Sequence, residues 1–123
     1  MNVLVVDDSP NLARVTAVAL RTLGCVTFTA HNTAEATRLL GAQTIEAIFL
    51  DVHLGAESGL DYLSSLRMQP AAPPVILFTA EAKDDVAEEA SRRGAFGCLI
   101  KPYDLDDRRC LLDQLTRARS RAS

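Results

Sequence analysis

The sequence predicts an α/β protein: a parallel sheet covered by helices on both faces. Three observations lead there. Short apolar runs rich in β-branched and aliphatic residues recur at 3–6, 26–30, 47–50, 75–78 and 98–100. Between them lie segments whose apolar residues are spaced three and four apart, the period of an amphipathic helix. Most of the short runs are apolar at every position, as strands are when both of their faces are buried. Five strands alternating with five helices follow, joined by right-handed crossovers.

Each element carries its own signals. After the first run, Ser9 is placed to cap a helix and Pro10 to open it, with Leu12, Val15, Ala19 and Leu23 on one face and Gly24 closing it. Residues 26–30 read as a short strand. Asn32 and Glu35 resemble a capping pair for a short helix with Ala36, Leu39 and Leu40, ended by Gly41. The strand into Asp51 comes next. Ser58 then caps a helix carrying Leu60, Leu63 and Leu66, and the prolines from Pro70 to Pro74 break the chain before the strand into Thr79. A polar helix over residues 83–93 stops at Gly94. The last strand reaches Lys101-Pro102, and a final helix from about Asp104 carries Leu105, Leu112 and Leu115.

Composition narrows the function classes. At 123 residues, 48% hydrophobic and 24% charged, the chain has the length and balance of one globular domain. The domain is expected to span residues 1–119, with 120–123 a tail or linker stub. A net charge of −3 gives no footprint for broad nucleic-acid binding, although Arg117, Arg119 and Arg121 make the tail locally basic. No apolar run is long enough for a membrane span or a signal peptide, so the expected location is the cytoplasm. Cys25, Cys98 and Cys110 are odd in number and widely spaced, which argues against a disulfide framework or a zinc site.

The chemistry collects at the strand ends. The runs stop on Asp7-Asp8, Asp51, Thr79 and Lys101, and an open α/β sheet binds its ligand beyond the carboxyl ends of its strands. Any one of these residues is unremarkable, since a strand-end aspartate often caps a turn. Together they are three carboxylates, a hydroxyl and an ammonium at one edge. No phosphate-binding loop of the GxxxxGK[ST] or GxGxxG kind is present, so the acids themselves must carry the chemistry. Mg²⁺ uses one or two carboxylates, waters and phosphate oxygens. Asp8 and Asp51 would supply the carboxylates, Asp7 would orient metal-bound water, and the His53 backbone carbonyl would complete the set. Asp51, alone at its strand end, is the expected nucleophile that forms an acyl phosphate, with Lys101 neutralising the phosphoryl group and Thr79 donating a hydrogen bond to it.

Val5-Val6-Asp7-Asp8, Leu50-Asp51 with Gly59 eight residues on, Thr79-Ala80 and Lys101-Pro102 resemble the receiver domain of two-component response regulators over essentially the whole chain. The resemblance implies a flavodoxin-like (βα)5 three-layer sandwich with strand order 2-1-3-4-5. It implies that Asp51 is the phosphoacceptor, Asp7 and Asp8 hold Mg²⁺, Thr79 is the switch hydroxyl and Lys101 contacts the phosphoryl group. The protein would then be a signalling phosphoacceptor rather than an enzyme. Its donor would be a histidine kinase or a histidine phosphotransfer protein, with an output domain or a homodimer as further partners. Two positions depart from the family pattern. Gly55 stands where a proline is common and should loosen the loop, and Cys98 stands where the switch Tyr or Phe is common, with Phe96 and Tyr103 nearby but not in that place. His53 and Glu81 are expected to flank the path of water to the acyl phosphate. Two other readings compete: a haloacid-dehalogenase-type phosphatase, which would carry a second Asp two residues after the nucleophile where this chain has His53, and a receiver-like binding module that is never phosphorylated.

Overall fold

The computed structural model describes residues 1–69, 71–79, 84–100, 109–110, 112–113 and 115–116. In chain order the elements are β1 (Asn2–Val6), α1 (Pro10–Thr22), β2 (Val26–Ala30), α2 (Thr33–Ala42), β3 (Ala47–Asp51), β4 (His53–Leu54), β5 (Glu57–Ser58), α3 (Gly59–Arg67), β6 (Val75–Thr79), α4 (Asp84–Arg92) and β7 (Gly97–Ile100). Residues 109–110, 112–113 and 115–116 are helical. Five strands form one parallel sheet in the order β2-β1-β3-β6-β7, while β4 and β5 pair separately as an antiparallel hairpin. With the hairpin set aside, this is the expected 2-1-3-4-5 order. Lys101, Pro102, Tyr103, Leu105, Glu81, Pro70 and the basic tail lie outside the described residues.

Side chains alternate across the strands, so every apolar run feeds two cores. Val3, Val5, Phe49, Ile76 and Phe78 pack with Ala13 and Leu20 of α1 and with Leu112 and Leu115. Leu4, Val6, Ile48, Leu50 and Leu77 pack on the other side with Ala36, Leu63, Leu66 and Ala90 of α2, α3 and α4. The central strand β3 is buried along its whole length. Each Val, Leu, Ile or Phe side chain taken out of water contributes about 1.5–3 kcal/mol, which makes the two layers the main source of stability.

The caps follow the sequence signals. The Ser9 and Ser58 hydroxyls accept the backbone N–H of Leu12 and Asp61, and Asn32 Oδ1 accepts that of Glu35 at 2.8 Å. Gly24 and Gly94 both take the positive φ that ends a helix, at 90° and 94°. Two expectations need correction. The buried face of α1 is Ala13, Thr16, Ala17 and Leu20, whereas Leu12 and Val15 are 48% and 62% exposed. A helix lying close on a sheet selects small residues for the contact, and apolar spacing alone does not register that. Gly41 does not end α2, which continues through it to Ala42.

Gly59, the first residue of α3, sits directly under the functional strand end. A Cβ added there would lie 2.0 Å from the Asp51 carbonyl oxygen and 2.9 Å from Val52 Cα, all backbone atoms that cannot swing aside. Its N–H donates to the Val52 carbonyl at 2.8 Å, which fixes this approach. Gly59→Ala should therefore cost about 3 kcal/mol through forced overpacking. Gly41→Ala, at a helical position with open space around it, should gain up to about 1 kcal/mol. Urea denaturation of the two variants checks the opposite signs.

Candidate metal centre

The sheet register determines where the charges meet. Val6 pairs with Ala30 on one side and with Leu50 on the other, Asp51 pairs with Phe78, and Thr79 pairs with Ile100. The residues that follow Val6 and Leu50 are Asp7 and Asp51, so these two leave neighbouring strands at the same edge. Asp8 joins them: carboxylate oxygens of Asp7, Asp8 and Asp51 all lie within 4.8 Å of one another. Asp7 is fully buried, Asp51 is 6% exposed, and Asp8 faces solvent.

Turns of the same kind hold the two buried acids. Asp7 Oδ1 accepts the Ser9 N–H at 3.0 Å, and Asp51 Oδ1 accepts the His53 N–H at 3.1 Å. In each case a carboxylate bonds the backbone two residues on, which orients it and closes a turn at the strand end. Val52 N–H donates to the Phe78 carbonyl at 3.1 Å, carrying the pairing of β3 with β6 just past the acid. Asp7 N–H donates to the Ala30 carbonyl, and His31 Nδ1 donates to the Asp7 carbonyl at 3.2 Å. Because a carbonyl only accepts, His31 carries its proton on Nδ1 in this contact. His31 follows the β2 run as Asp7 follows β1, a placement that is the one local signal of its role.

The β4–β5 hairpin was missed, since two-residue strands lie below any periodicity signal. His53 pairs with Ser58 and Leu54 with Glu57, leaving Gly55 and Ala56 as a two-residue loop. Gly55 has φ 65° and is the only loop residue with positive φ, the mark of a II′ hairpin turn. Proline, with φ near −65°, could not take this place. The glycine therefore forms a tight turn where looseness was expected. A Cβ on Gly55 would stand 3.8 Å from Asp8 Oδ2, so the turn lies against the acid cluster. Glu57 reaches across to α2, accepting the Thr33 N–H at 3.2 Å and the Thr33 hydroxyl. The Thr33 hydroxyl first, and its N–H second, hold the Glu57 carboxyl below its usual range. Tyr62 Oη lies 2.9 Å from Thr37 Oγ1, and burial pushes its phenol up.

Of the expected site residues, the structure thus gathers Asp7, Asp8 and Asp51, with His53 bonded to Asp51 through its backbone. Thr79 ends β6 at the same edge. Lys101, the residue after Ile100, lies outside the described residues. Cys98 is half-buried against the α2–α3–α4 core, and that burial raises its thiol pKa.

Three acids this close repel. Two unit charges about 4 Å apart cost roughly 1 kcal/mol in water and about 4 kcal/mol near a protein surface. A single cation touching every oxygen requires them to lie no more than about twice a metal–oxygen distance apart, roughly 4–5 Å for hard divalent ions. The cluster meets that condition, and an all-oxygen donor set suits Mg²⁺ or Ca²⁺ rather than softer metals.

The profile of the response regulator receiver domain family matches residues 3–113. The regulatory protein AtoC of Escherichia coli is 32% identical over 118 residues, covering 96% of this chain and 26% of that protein. The alginate biosynthesis transcriptional regulatory protein AlgB of Pseudomonas putida is 36% identical over 107 residues, covering 87% of this chain and 24% of that protein. The chain thus spans about a quarter of the length of these curated relatives. A crystal structure of a Burkholderia pseudomallei response regulator with a phosphorylated aspartic acid, calcium ion and citrate superposes with a TM-score of 0.81 at 31% identity, over 99% of this chain and 72% of that one.

Relief of repulsion by a cation has a thermal signature. Mg²⁺ should raise the melting temperature above that in chelator. Asp8→Asn should melt several degrees higher than wild type in chelator, a gain of about 1 kcal/mol, and should lose most of the Mg²⁺-induced rise. Thermal scans of both proteins with and without Mg²⁺ check this.

Proposed function

The chain belongs to the response regulator receiver domain family, and from that premise we propose that Asp51 accepts a phosphoryl group from a phosphohistidine donor in a Mg²⁺-dependent reaction. The observation that carries the reading is the gathering of Asp7, Asp8 and Asp51 carboxylates within 4.8 Å at the carboxyl edge of the sheet. Asp7, Asp8, Asp51 and the His53 carbonyl would hold the ion. When bound, it would neutralise charge between the acids and the incoming phosphoryl group. An Asp51 oxygen attacks phosphorus, the phosphorus–nitrogen bond of the donor breaks, and the histidine nitrogen leaves with the electron pair and is protonated. The product is an acyl phosphate on Asp51. Lys101 pairs with the transferred group, and the Thr79 hydroxyl donates to it.

The donor is a histidine kinase or a histidine phosphotransfer protein, and the compartment is the cytoplasm. The domain is taken as residues 1–119, with 120–123 a tail or linker stub; the family match over residues 3–113 and the buried Leu115 support a domain that reaches at least residue 115. No helix among the described residues is long and apolar enough to cross a membrane. An output domain or a homodimer would carry the signal onward, and transcription is the class of output that AlgB's name suggests. A haloacid-dehalogenase-type phosphatase is not favoured, because His53 occupies the position where that chemistry places its second acid.

Treatment with acetyl phosphate should add one phosphoryl group to the wild-type chain in Mg²⁺ and almost none in chelator or in Asp51→Asn. Intact-mass measurement reads this directly. Equal modification in all three samples would reject Asp51 as acceptor.

Cys98 shapes how far the signal spreads. A thiol on one carbon–sulfur torsion has little area to bury, so it can bias a two-state surface far less than an aromatic ring. Beryllofluoride, a phosphoryl mimic, should shift the amides of Asp51, His53 and residues 79–83 while leaving 97–99 and 105–115 nearly unchanged. Amide chemical-shift mapping is the check.

A further inference from the structure

The hairpin between the acid cluster and α2 does more than connect two elements. Asn32 caps α2 by taking the Glu35 N–H, which leaves the N–H of Thr33, the first helical residue, still in need of an acceptor. Glu57 supplies it from another part of the chain, using one carboxylate oxygen for the Thr33 N–H and the other for the Thr33 hydroxyl. The anion also lies at the positive end of the helix, where it is favoured. Glu57 in turn pairs with Leu54 across the hairpin, and Leu54 is 3% exposed in the core. The same hairpin begins with His53, whose N–H holds Asp51, and turns at Gly55 beside Asp8. The hairpin that borders Asp8 and Asp51 is thus tied to α2 through the Glu57 side chain.

We propose that Glu57 is a positioning residue for the cation site, acting through its bidentate grip on Thr33 to hold the His53–Ser58 hairpin against Asp8 and Asp51. The inference rests on the reading of the acid cluster as a Mg²⁺ site. Its consequence is that occupancy of the cluster is felt at the first turn of α2. Partners that orient a metal's own ligands matter for affinity even when they never touch the ion, typically by tenfold or more.

The test follows Mg²⁺ titrations by amide chemical shifts in wild type, Glu57→Ala, Glu57→Gln, Thr33→Val and the Glu57→Ala/Thr33→Val double variant, with urea midpoints in chelator as the measure of folding. In wild type, the shifts should include Thr33 as well as Asp8, Asp51 and His53. Glu57→Ala should weaken Mg²⁺ binding by about tenfold and silence Thr33 while Asp7 and Asp51 still respond. Glu57→Gln, which keeps an acceptor without the charge, should fall between the two. The double variant should bind no more weakly than Glu57→Ala alone, since both changes break one grip. Unchanged affinity with Thr33 still responding, or losses that multiply in the double variant, would overturn the inference. A wild-type chain that fails to bind Mg²⁺ at all would instead overturn the reading of the site itself. If Glu57→Ala unfolds in chelator, Glu57→Gln and Thr33→Val decide the matter by the same criteria.

Discussion

Mutual repulsion among three carboxylates is the constraint around which the rest of the structure is arranged. Asp7 and Asp51 are almost wholly out of water and share a 4.8 Å cluster with Asp8. Acids left to themselves would separate and hydrate. Here they cannot, because Asp51 ends β3 and Asp7 directly follows β1, two strands held in register up to Val6 and Leu50. Backbone N–H groups of Ser9 and His53 take one oxygen of each. Like charges this close repel one another, and a hard divalent cation bound among them would relieve that repulsion.

Rigid backing makes that closeness possible. Both faces of the sheet are covered, and the central strand is buried at every residue, so splaying the strand ends apart would expose apolar surface from two cores at once. Gly59 adds a second restraint from below, letting α3 begin against the backbone of Asp51. The site is thus held by packing behind it and by short hydrogen-bonded turns in front. Nothing in that arrangement requires long loops.

Differences from the usual family pattern fall on the parts that would transmit a signal. Gly55 converts the segment after Asp51 into a tight hairpin turn, and Glu57 fastens that hairpin to α2. Cys98 leaves β7 without the Tyr or Phe that is common at that place, and sits half-buried against the core on the α4 side. The hairpin is bonded to the acid cluster through the His53 N–H and to α2 through Glu57, while β7 presents only a small thiol at Cys98.

By itself, the sequence determined the fold class, the strand ends that carry acids, and the caps at Ser9, Asn32 and Ser58. Each of these is written in local chemistry: runs of apolar residues, an acid after a run, a hydroxyl or amide before a helix. Asp7, Asp8 and Asp51 were legible as a group for the same reason, since parallel strands deliver their last residues to one edge. Tertiary structure alone decided which face of α1 is buried, because the choice of Ala13 and Ala17 over Leu12 and Val15 depends on how closely the helix approaches the sheet. It alone decided the conformation of Gly55, the reach of His31 to the Asp7 carbonyl, and the grip of Glu57 on Thr33, 24 residues away in the chain. Contacts across such separations have no period and no spacing, so no local pattern records them; they exist only once the sheet has brought the loops together.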